Sequence, residues 1–365
     1  VNQTVKRKHL LAAVLALALL VGVLPMKASA VEDAPETSAT SVIVIDAYSG
    51  QVIYEKNADE ERAIASVTKV MTAYLATEGM TLDDARLDEK YTVSQHAADS
   101  DEGGTSLYLE AGQTVTFEEL LYGTMLRSGN DAAVALAEAC ADGDEAAFIQ
   151  RMNDKAAELG LTHTHYSCPN GLIDEENYST ARDQATLARA AMQNELFAKV
   201  VGTWYIELGS FQIENHNKLL QEMKGECIGV KTGFTTLAGK TLVSCAERDG
   251  SRFIIVTLND ADDYADHQAL YDWAFKNYPA NVLCVEGKTV TTLRIGEMQV
   301  PLTAAQTLVA SVPTSADNVI QCEMTLPSQV SGAISKGAVA GQATYWLNGE
   351  ELGTVDLLYS TIVVN

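Results

Sequence analysis

Hydrophobic positions alternate strictly at two ends of a long central stretch and recur at helical spacing between them. "SVIVIDAYSGQVIYEKN" (41–57) reads as two β runs around a turn at Tyr48-Ser49-Gly50, a hairpin. In "AIASVTKVMTAYLATEG" (63–79), Val67, Val70, Met71, Tyr74 and Leu75 fall on one helical face, which predicts a helix starting at or near Ser66. "VTFEELLYGTMLRSGNDAAVALAEACA" contains two helices meeting at Arg127-Ser128-Gly129, the first opened by a Thr116/Glu119 capping box. "DEAAFIQRMNDKAAELG" is a helix stopped by Gly160, and "STARDQATLARAAMQNELFAKV" is read as one further helix begun by Thr180 with Asp183 three residues on. Period-2 runs then return in "TWYIELGSFQIENHN", "IGVKTGFTTLAGKTLVSCAERDG" and "SRFIIVTLND", and "YADHQALYDWAFKNY" forms a last helix.

A hairpin, a helical block, then strands and a terminal helix imply an α/β fold: one sheet built from both ends of the segment, carrying an inserted helical subdomain, over residues 41–281. From residue 282 to 365 the pattern becomes short β runs, with Asn348-Gly349 as a hairpin turn. This tail reads as a small all-β sandwich. It shows no catalytic grouping, so a spacer or protein-contact role is its default.

Composition narrows the partners. Forty-nine acidic against 25 basic residues give a formal charge of −24, which argues against nucleic acid or an anionic membrane surface as the main partner. Residues 1–30 combine a basic start ("VNQTVKRKH"), an apolar run ("LLAAVLALALLVGVLP") and a small-residue "ASA" site, the pattern of a signal peptide, followed by a polar linker over 31–40. Export to an extracytoplasmic site, in the cell wall or on the outer face of the cytoplasmic membrane, is therefore expected. The apolar run is short for a span, which argues against an uncleaved anchor. Six cysteines are too sparse for a disulfide scaffold and are expected as buried free thiols. His163, His165 and Cys168 lack a fourth ligand, so neither a metal nor another cofactor is expected.

Ser66 and Lys69 stand one turn apart at a helix start, where a lysine opposes the helix dipole. An amine so placed can serve as the serine's base if it is neutral, a state favoured by burial and a second cation. Lys231 in "GVKTGFTTLAG", on a strand expected at a sheet edge beside a cleft, would supply that cation, and Gly233 would let a ligand backbone approach. Ser128 and Asn130 in "RSGND" sit at a helix junction, a usual place for side chains to face a cleft. Each motif is weak alone. The order S-x-x-K, S-x-N, K-T-G is far more specific and is a known signature of penicillin-recognising enzymes.

With those motifs in place, the chain resembles the low-molecular-mass penicillin-binding proteins that are serine-type D-alanyl-D-alanine carboxypeptidases. The likeness extends over about residues 41–280, through "DAYSGQVIYEKNADEERAIASVTKVMTAYLA", "GTSLYLEAGQTVTFEELLYGTMLRSGNDAAVALAE", "NGLIDEENYSTARDQATLA" and "NKLL", and the tail resembles the family's second domain. It implies a serine β-lactamase-like α/β domain followed by a β-sandwich. It also implies that Ser66 is the nucleophile, Lys69 its base and Ser128 a proton relay to the leaving amine. Asn130 would hold the substrate amide, and Lys231, Thr232 and Thr235 would meet the terminal carboxylate. The N–H groups of Ser66 and Phe234 would form an oxyanion hole. The implied partners are peptidoglycan stem peptides ending in D-Ala-D-Ala and, as acylating inhibitors, β-lactams.

The chain departs from the family pattern in two places. Many relatives carry a carboxylate-binding arginine shortly before the final helix, where this chain has "DADDYADH". Most end in an amphipathic membrane helix, whereas "LLYSTIVVN" reads as a strand, so no C-terminal anchor is expected. Three other readings share the residues. A D,D-endopeptidase would use the same site. A β-lactamase would need a carboxylate for its deacylating water, and the E-x-x-L-N element is missing between the second and third motifs. A non-catalytic wall-binding scaffold would have no need of intact Ser66, Lys69, Ser128 and Lys231.

Overall fold

The computed structural model describes residues 31–101, 104–172, 176–315, 318–330 and 333–362; the signal peptide expected over 1–30 lies outside them. Strands β1 (Ser41–Asp46) and β2 (Val52–Lys56) form the expected antiparallel hairpin. After β3 (Arg62–Ala63) comes a 3₁₀ turn, Ala65–Thr68, and then α1 (Lys69–Thr77), so Ser66 lies in the tight turn that feeds the helix. The helical block continues through β4 (Lys90–Thr92), α2 (Gln95–Asp99), β5 (Thr114–Thr116), α3 (Phe117–Met125), α4 (Asn130–Cys140) and α5 (Glu145–Glu158). It ends with β6 (Tyr178–Ser179), α6 (Ala181–Ala191) and α7 (Glu195–Gly202). A hairpin of β7 (Tyr205–Leu208) and β8 (Phe211–Glu214) and a short α8 (Leu219–Glu222) lead to β9 (Cys227–Thr235), β10 (Gly239–Arg248), β11 (Ser251–Leu258) and α9 (Asp263–Asn277).

The main sheet runs β2-β1-β11-β10-β9, so both ends of the segment meet where β1 pairs with β11, Ser41 opposite Leu258 and Asp46 opposite Phe253. All six residues of β1 are buried, because the sheet is covered on both faces. Alternation divides them: Ile43 and Ile45 pack with Val243, Ile254 and Val256 against the helical block, while Val42 and Val44 pack with Leu242, Phe253 and Ile255 against Leu270, Tyr271 and Ala274 of α9. Strand β9, which carries Lys231, is the edge beside the helical block, as expected.

One expected helix is two. The run from Thr180 breaks at residues 192–194 because the Asn194 side chain accepts from Phe197 N and caps a new helix, α7; Thr180 caps α6 through Asp183 N. The Thr116/Glu119 capping box forms in full at the start of α3.

The tail has its own core, including Leu302, Ala343, Leu352 and Leu357. Its strands are β12 (Ala280–Cys284), β13 (Thr289–Ile295), β14 (Met298–Ala304), β15 (Leu308–Ser311), β16 (Ile320–Thr325), β17 (Val339–Leu347) and β18 (Glu350–Tyr359). They form one sheet ordered β13-β14-β18-β17-β16 and a pair, β12-β15. The first tail strand thus begins at Ala280, two residues before the boundary read from the pattern. Ser311 N donates to Asp46 Oδ2 at 2.8 Å, tying β15 to the end of β1.

All six cysteines are free thiols, but only Cys227, Cys245 and Cys284 are buried; Cys140 and Cys168 are half-buried, and Cys322 is exposed because β16 is an edge strand with every residue open to solvent. His163 is committed to Glu61 and His165 to Glu176 O; among the described residues no cluster of His, Cys, Asp or Glu is placed to hold a metal. No described helix is long and apolar enough to cross a membrane.

Candidate active site

Ser66 is held from three sides. Ala65 before it adopts left-handed backbone, φ 49°, which costs on the order of 1–3 kcal/mol and persists only where the surroundings impose it. Gly171, itself at φ +75°, imposes part of it: a Cβ there would lie 2.0 Å from Ala65 O. Gly233 of β9 imposes more, since its Cβ would lie 3.0 Å from Ser66 N and 2.5 Å from Thr241 Oγ1. The missing Cβ at 233 therefore makes room for the chain's own serine turn, where the sequence suggested room for a ligand backbone. Thr241 Oγ1 donates to Ile64 O at 3.1 Å and pins the same turn to β10.

Lys69 is fully buried at the start of α1. Its Nζ lies 3.0 Å from Ser66 Oγ, 2.8 Å from Asn130 Oδ1 and 2.5 Å from Asn170 O. A neutral amine fits this environment: two N–H groups donate to Asn130 and Asn170, and the lone pair is left for the Ser66 hydroxyl proton. Burial drives the Lys69 pKa well below its ordinary value, and the nearby Lys231 ammonium adds to the effect. The sequence named both causes, but burial is the larger. It also acts on Lys231, which it pushes down to about 7. Lys231 Nζ donates to Thr232 O at 2.9 Å.

Ser128, at φ 63°, occupies the left-handed turn between α3 and α4. The turn is fixed by Asp131, which accepts from Leu107 N, Leu109 N and Ser106 Oγ and so staples the 105–109 loop to the start of α4. Asn130 N donates to Thr105 O at 2.8 Å. Ser66, Ser128, Thr232, Gly233 and Phe234 then line one cleft of about 550 Å³, with Thr105, His216, Lys218, Lys240, Asp263 and Tyr264. Lys69, Asn130 and Lys231 are buried. Thr235 stands apart from this lining: its Oγ1 accepts from Ala238 N and braces the turn to β10. A second concavity of about 500 Å³, between Glu61, Arg62, Tyr178, Leu237 and Asn259, contains no nucleophile beside a base.

Sequence reasoning missed three groups here. Asn170 contributes a backbone carbonyl, which no residue pattern marks. Asp131 was inside a quoted motif but unassigned, although an acid at the first turn of a helix is a readable signal. His216 lies beside the "NKLL" segment, and only the fold brings it to the cleft. The stretch 260–267, where a carboxylate-binding arginine was sought, contains none and puts Asp263 in the cleft lining, its Oδ1 accepting from Lys240 Nζ at 2.9 Å.

The chain matches the family described as D-alanyl-D-alanine carboxypeptidase over residues 28–262 and the penicillin-binding protein 5 C-terminal domain over 280–364. It is 33% identical over 355 residues to D-alanyl-D-alanine carboxypeptidase DacF of Bacillus subtilis (strain 168), covering 92% of this chain and 90% of that protein. It is 31% identical to DacC of Escherichia coli (strain K12), covering 88% and 83%. Among solved structures, penicillin-binding protein 5 of Haemophilus influenzae superposes with a TM-score of 0.77 over 91% of this chain and 99% of that one; at 24% identity this supports the fold alone. A Streptomyces K15 DD-transpeptidase mutant aligns at 32% identity and TM-score 0.62, covering 66% and 99%.

Proposed function

Because the chain belongs to the D-alanyl-D-alanine carboxypeptidase family and is a serine peptidase, we propose that it acts outside the cytoplasm, removing the terminal D-alanine from peptidoglycan stem pentapeptides through a Ser66 acyl-enzyme. The observation that carries this reading is the buried Lys69 amine 3.0 Å from Ser66 Oγ at the edge of the cleft.

Lys69 takes the hydroxyl proton as Ser66 attacks the penultimate carbonyl. Ser66 N, in the first turn of the 3₁₀ segment, has no intrahelical partner, and with Phe234 N it receives the oxyanion, each such donor contributing about 3 kcal/mol. Ser128 relays the proton to the leaving amine, and Asn130, already oriented by Lys69, presents its amide to the peptide. Lys231, Thr232 and Thr235 take the carboxylate. The Thr235 hydroxyl accepts from Ala238 N, which leaves its own proton free to donate. Gly233 contributes by letting β9 close on the Ser66 turn. No step calls for a metal or another cofactor.

A β-lactam would enter the same way but keep its leaving nitrogen tethered over the ester after ring opening, so water reaches the acyl group slowly. Intact-protein mass spectrometry after brief penicillin exposure should show one adduct per chain, mapped to the Ser66 peptide and absent from Ser66→Ala. Rapid penicillin turnover without an adduct would favour a β-lactamase, and a folded but unreactive sample a scaffold.

A further inference from the structure

His216 stands in the cleft without an assigned task. Its backbone is clamped between two elements: His216 N donates to Leu126 O at 3.1 Å, beside the Ser128 turn, and Tyr264 Oη donates to His216 O at 2.9 Å from α9. The imidazole lines the cleft together with Ser66, Ser128 and Thr232, and neither ring nitrogen has a partner among the described residues. Each described element around it presents a known set of charges. Lys231 of β9 and Arg127 of the Ser128 turn act on the ring as cations, and the Lys69 amine of α1 adds to them only when protonated. Lys218 lies two residues along its own loop, and Asp263 of α9 is already paired to Lys240 of β10. With Asp263 neutralised by Lys240, the ring is left without an anion of its own.

On the reading that the cleft hydrolyses D-Ala-D-Ala peptides, we propose that His216 is a specificity-determining residue, a pH-dependent ligand of the substrate's C-terminal carboxylate. It lines the cleft beside the start of α9, a stretch that lacks the arginine many relatives are expected to carry there. In the free enzyme burial, then Lys231, Arg127 and Lys69, push the His216 pKa down to about 4, so the ring is neutral and can donate one N–H. A bound carboxylate reverses the local field and raises that pKa. Between the free and bound values, binding takes up a proton and the contact becomes charge-assisted. The sign follows: affinity for a carboxylate-bearing ligand rises as pH falls from neutrality toward about 4.5, while a ligand without the carboxylate gains nothing. Lys231 contributes its own dependence at higher pH, near 7, so the two windows are separable.

The test is steady-state kinetics of the full enzyme on an N-acyl-D-Ala-D-Ala peptide between pH 5 and 8, with His216→Asn and His216→Gln compared with wild type. Calorimetry of Ser66→Ala with the same peptide and with its C-terminal amide, in buffers of different ionisation enthalpy, counts the protons taken up. We expect KM of both variants to rise about five- to tenfold at pH 5.5 and less than twofold at pH 8, with kcat within twofold and an unchanged melting temperature. Proton uptake near pH 5.5 should accompany the acid and not the amide, and should vanish when His216→Asn is added to the Ser66→Ala protein. Parallel KM profiles for wild type and variants, or equal proton uptake with acid and amide, would overturn the role of His216 while leaving the peptidase reading intact. Absence of turnover by folded wild type would instead overturn the peptidase reading.

Discussion

Among the described residues, two serines lie within hydrogen-bond distance of a lysine or histidine nitrogen, and only one is built to react. Ser66 Oγ is 3.0 Å from Lys69 Nζ and opens on the cleft. Ser244 Oγ, on β10, is 2.7 Å from His267 Nδ1 of α9 and also 2.7 Å from Tyr271 Oη, while His267 Nε2 meets Thr257 Oγ1 of β11 at 3.0 Å. By distance alone the second pair is the better nucleophile–base couple. All four of its residues are fully buried, however, and they close on one another between the sheet and α9. Burial pushes the His267 pKa down to about 3, which suits a neutral ring with both nitrogens engaged. The difference lies in access and in what remains unsatisfied: the core network completes its own hydrogen bonds, whereas the cleft leaves a serine proton and donors facing an open volume.

The sharpest way to break the comparison is to remove each base. Lys69→Met should abolish acylation by penicillin, a loss of at least about 10³-fold in rate, with little loss of stability, since an unbranched apolar chain replaces a buried amine. His267→Ala should do the reverse, lowering stability by roughly 2–4 kcal/mol through a cavity and orphaned hydroxyls, while the molecules that remain folded keep their kcat/KM. Stopped-flow acylation and urea unfolding on the two variants decide the matter. Normal acylation by Lys69→Met would reassign the base.

What could be read in advance follows the same division. Ser66, Lys69, Ser128, Asn130 and Lys231 announced themselves because local backbone fixes them: one helix start, one helix junction and one edge strand. The hairpin, the capping box at Thr116 and the sheet closed from both ends were legible for the same reason. The Ser244–Thr257–His267–Tyr271 network was not, because its members lie on two strands and a helix and meet only through the β10–β11 register, with Ser244 opposite Ile255, and the i, i+4 spacing on α9. Asn170 acts through its carbonyl and has no side-chain signature. The break before α7 was hidden because helix propensity continues through it, and a single cap at Asn194 overrides the pattern.

Protonation sharpens the contrast, because the core His267 and the cleft Lys231 titrate in separate windows. His267 is neutral in the fold down to about 3 but protonates near 6.5 when unfolded, so the unfolded chain binds more protons between these values. Stability should fall as pH drops through that window, by on the order of 5 kcal/mol. Lys231 behaves alike at higher pH: its folded value of about 7 against an ordinary 10.5 means stability falls as pH drops from 10.5 to about 7 and then levels. His267→Gln should reduce the slope of the acid limb, leaving the part that His216 contributes, and Lys231→Met should reduce the alkaline limb, leaving the part that Lys69 contributes, both measured as urea midpoints against pH. Lys231→Met should also be the more stable protein at pH 7 and the poorer enzyme. Loss of both slopes in either variant would show that the two regions are coupled.

The smallest expected effects come from one hydroxyl on each side of the comparison. Thr257→Val keeps shape in the core but leaves His267 Nε2 without its partner, and an unsatisfied buried nitrogen costs about 1–2 kcal/mol. Because Thr257 is sealed from the cleft, kcat/KM should be unchanged. Thr232→Val makes the same substitution on β9, where the side chain is half-exposed and lines the cleft. Water can satisfy whatever the hydroxyl leaves behind, so stability should shift by no more than about 0.5 kcal/mol. A carboxylate-bearing substrate, by contrast, loses one donor, and a hydrogen bond to a charged group contributes about 1.5–3 kcal/mol. KM for a D-Ala-D-Ala peptide should therefore rise about tenfold or more, whereas a ligand lacking the carboxylate should be indifferent. If Thr257→Val lowered kcat/KM, the core network would reach the chemistry after all; if Thr232→Val lowered the melting temperature as much as Thr257→Val does, the Thr232 hydroxyl would be serving the fold and not the substrate.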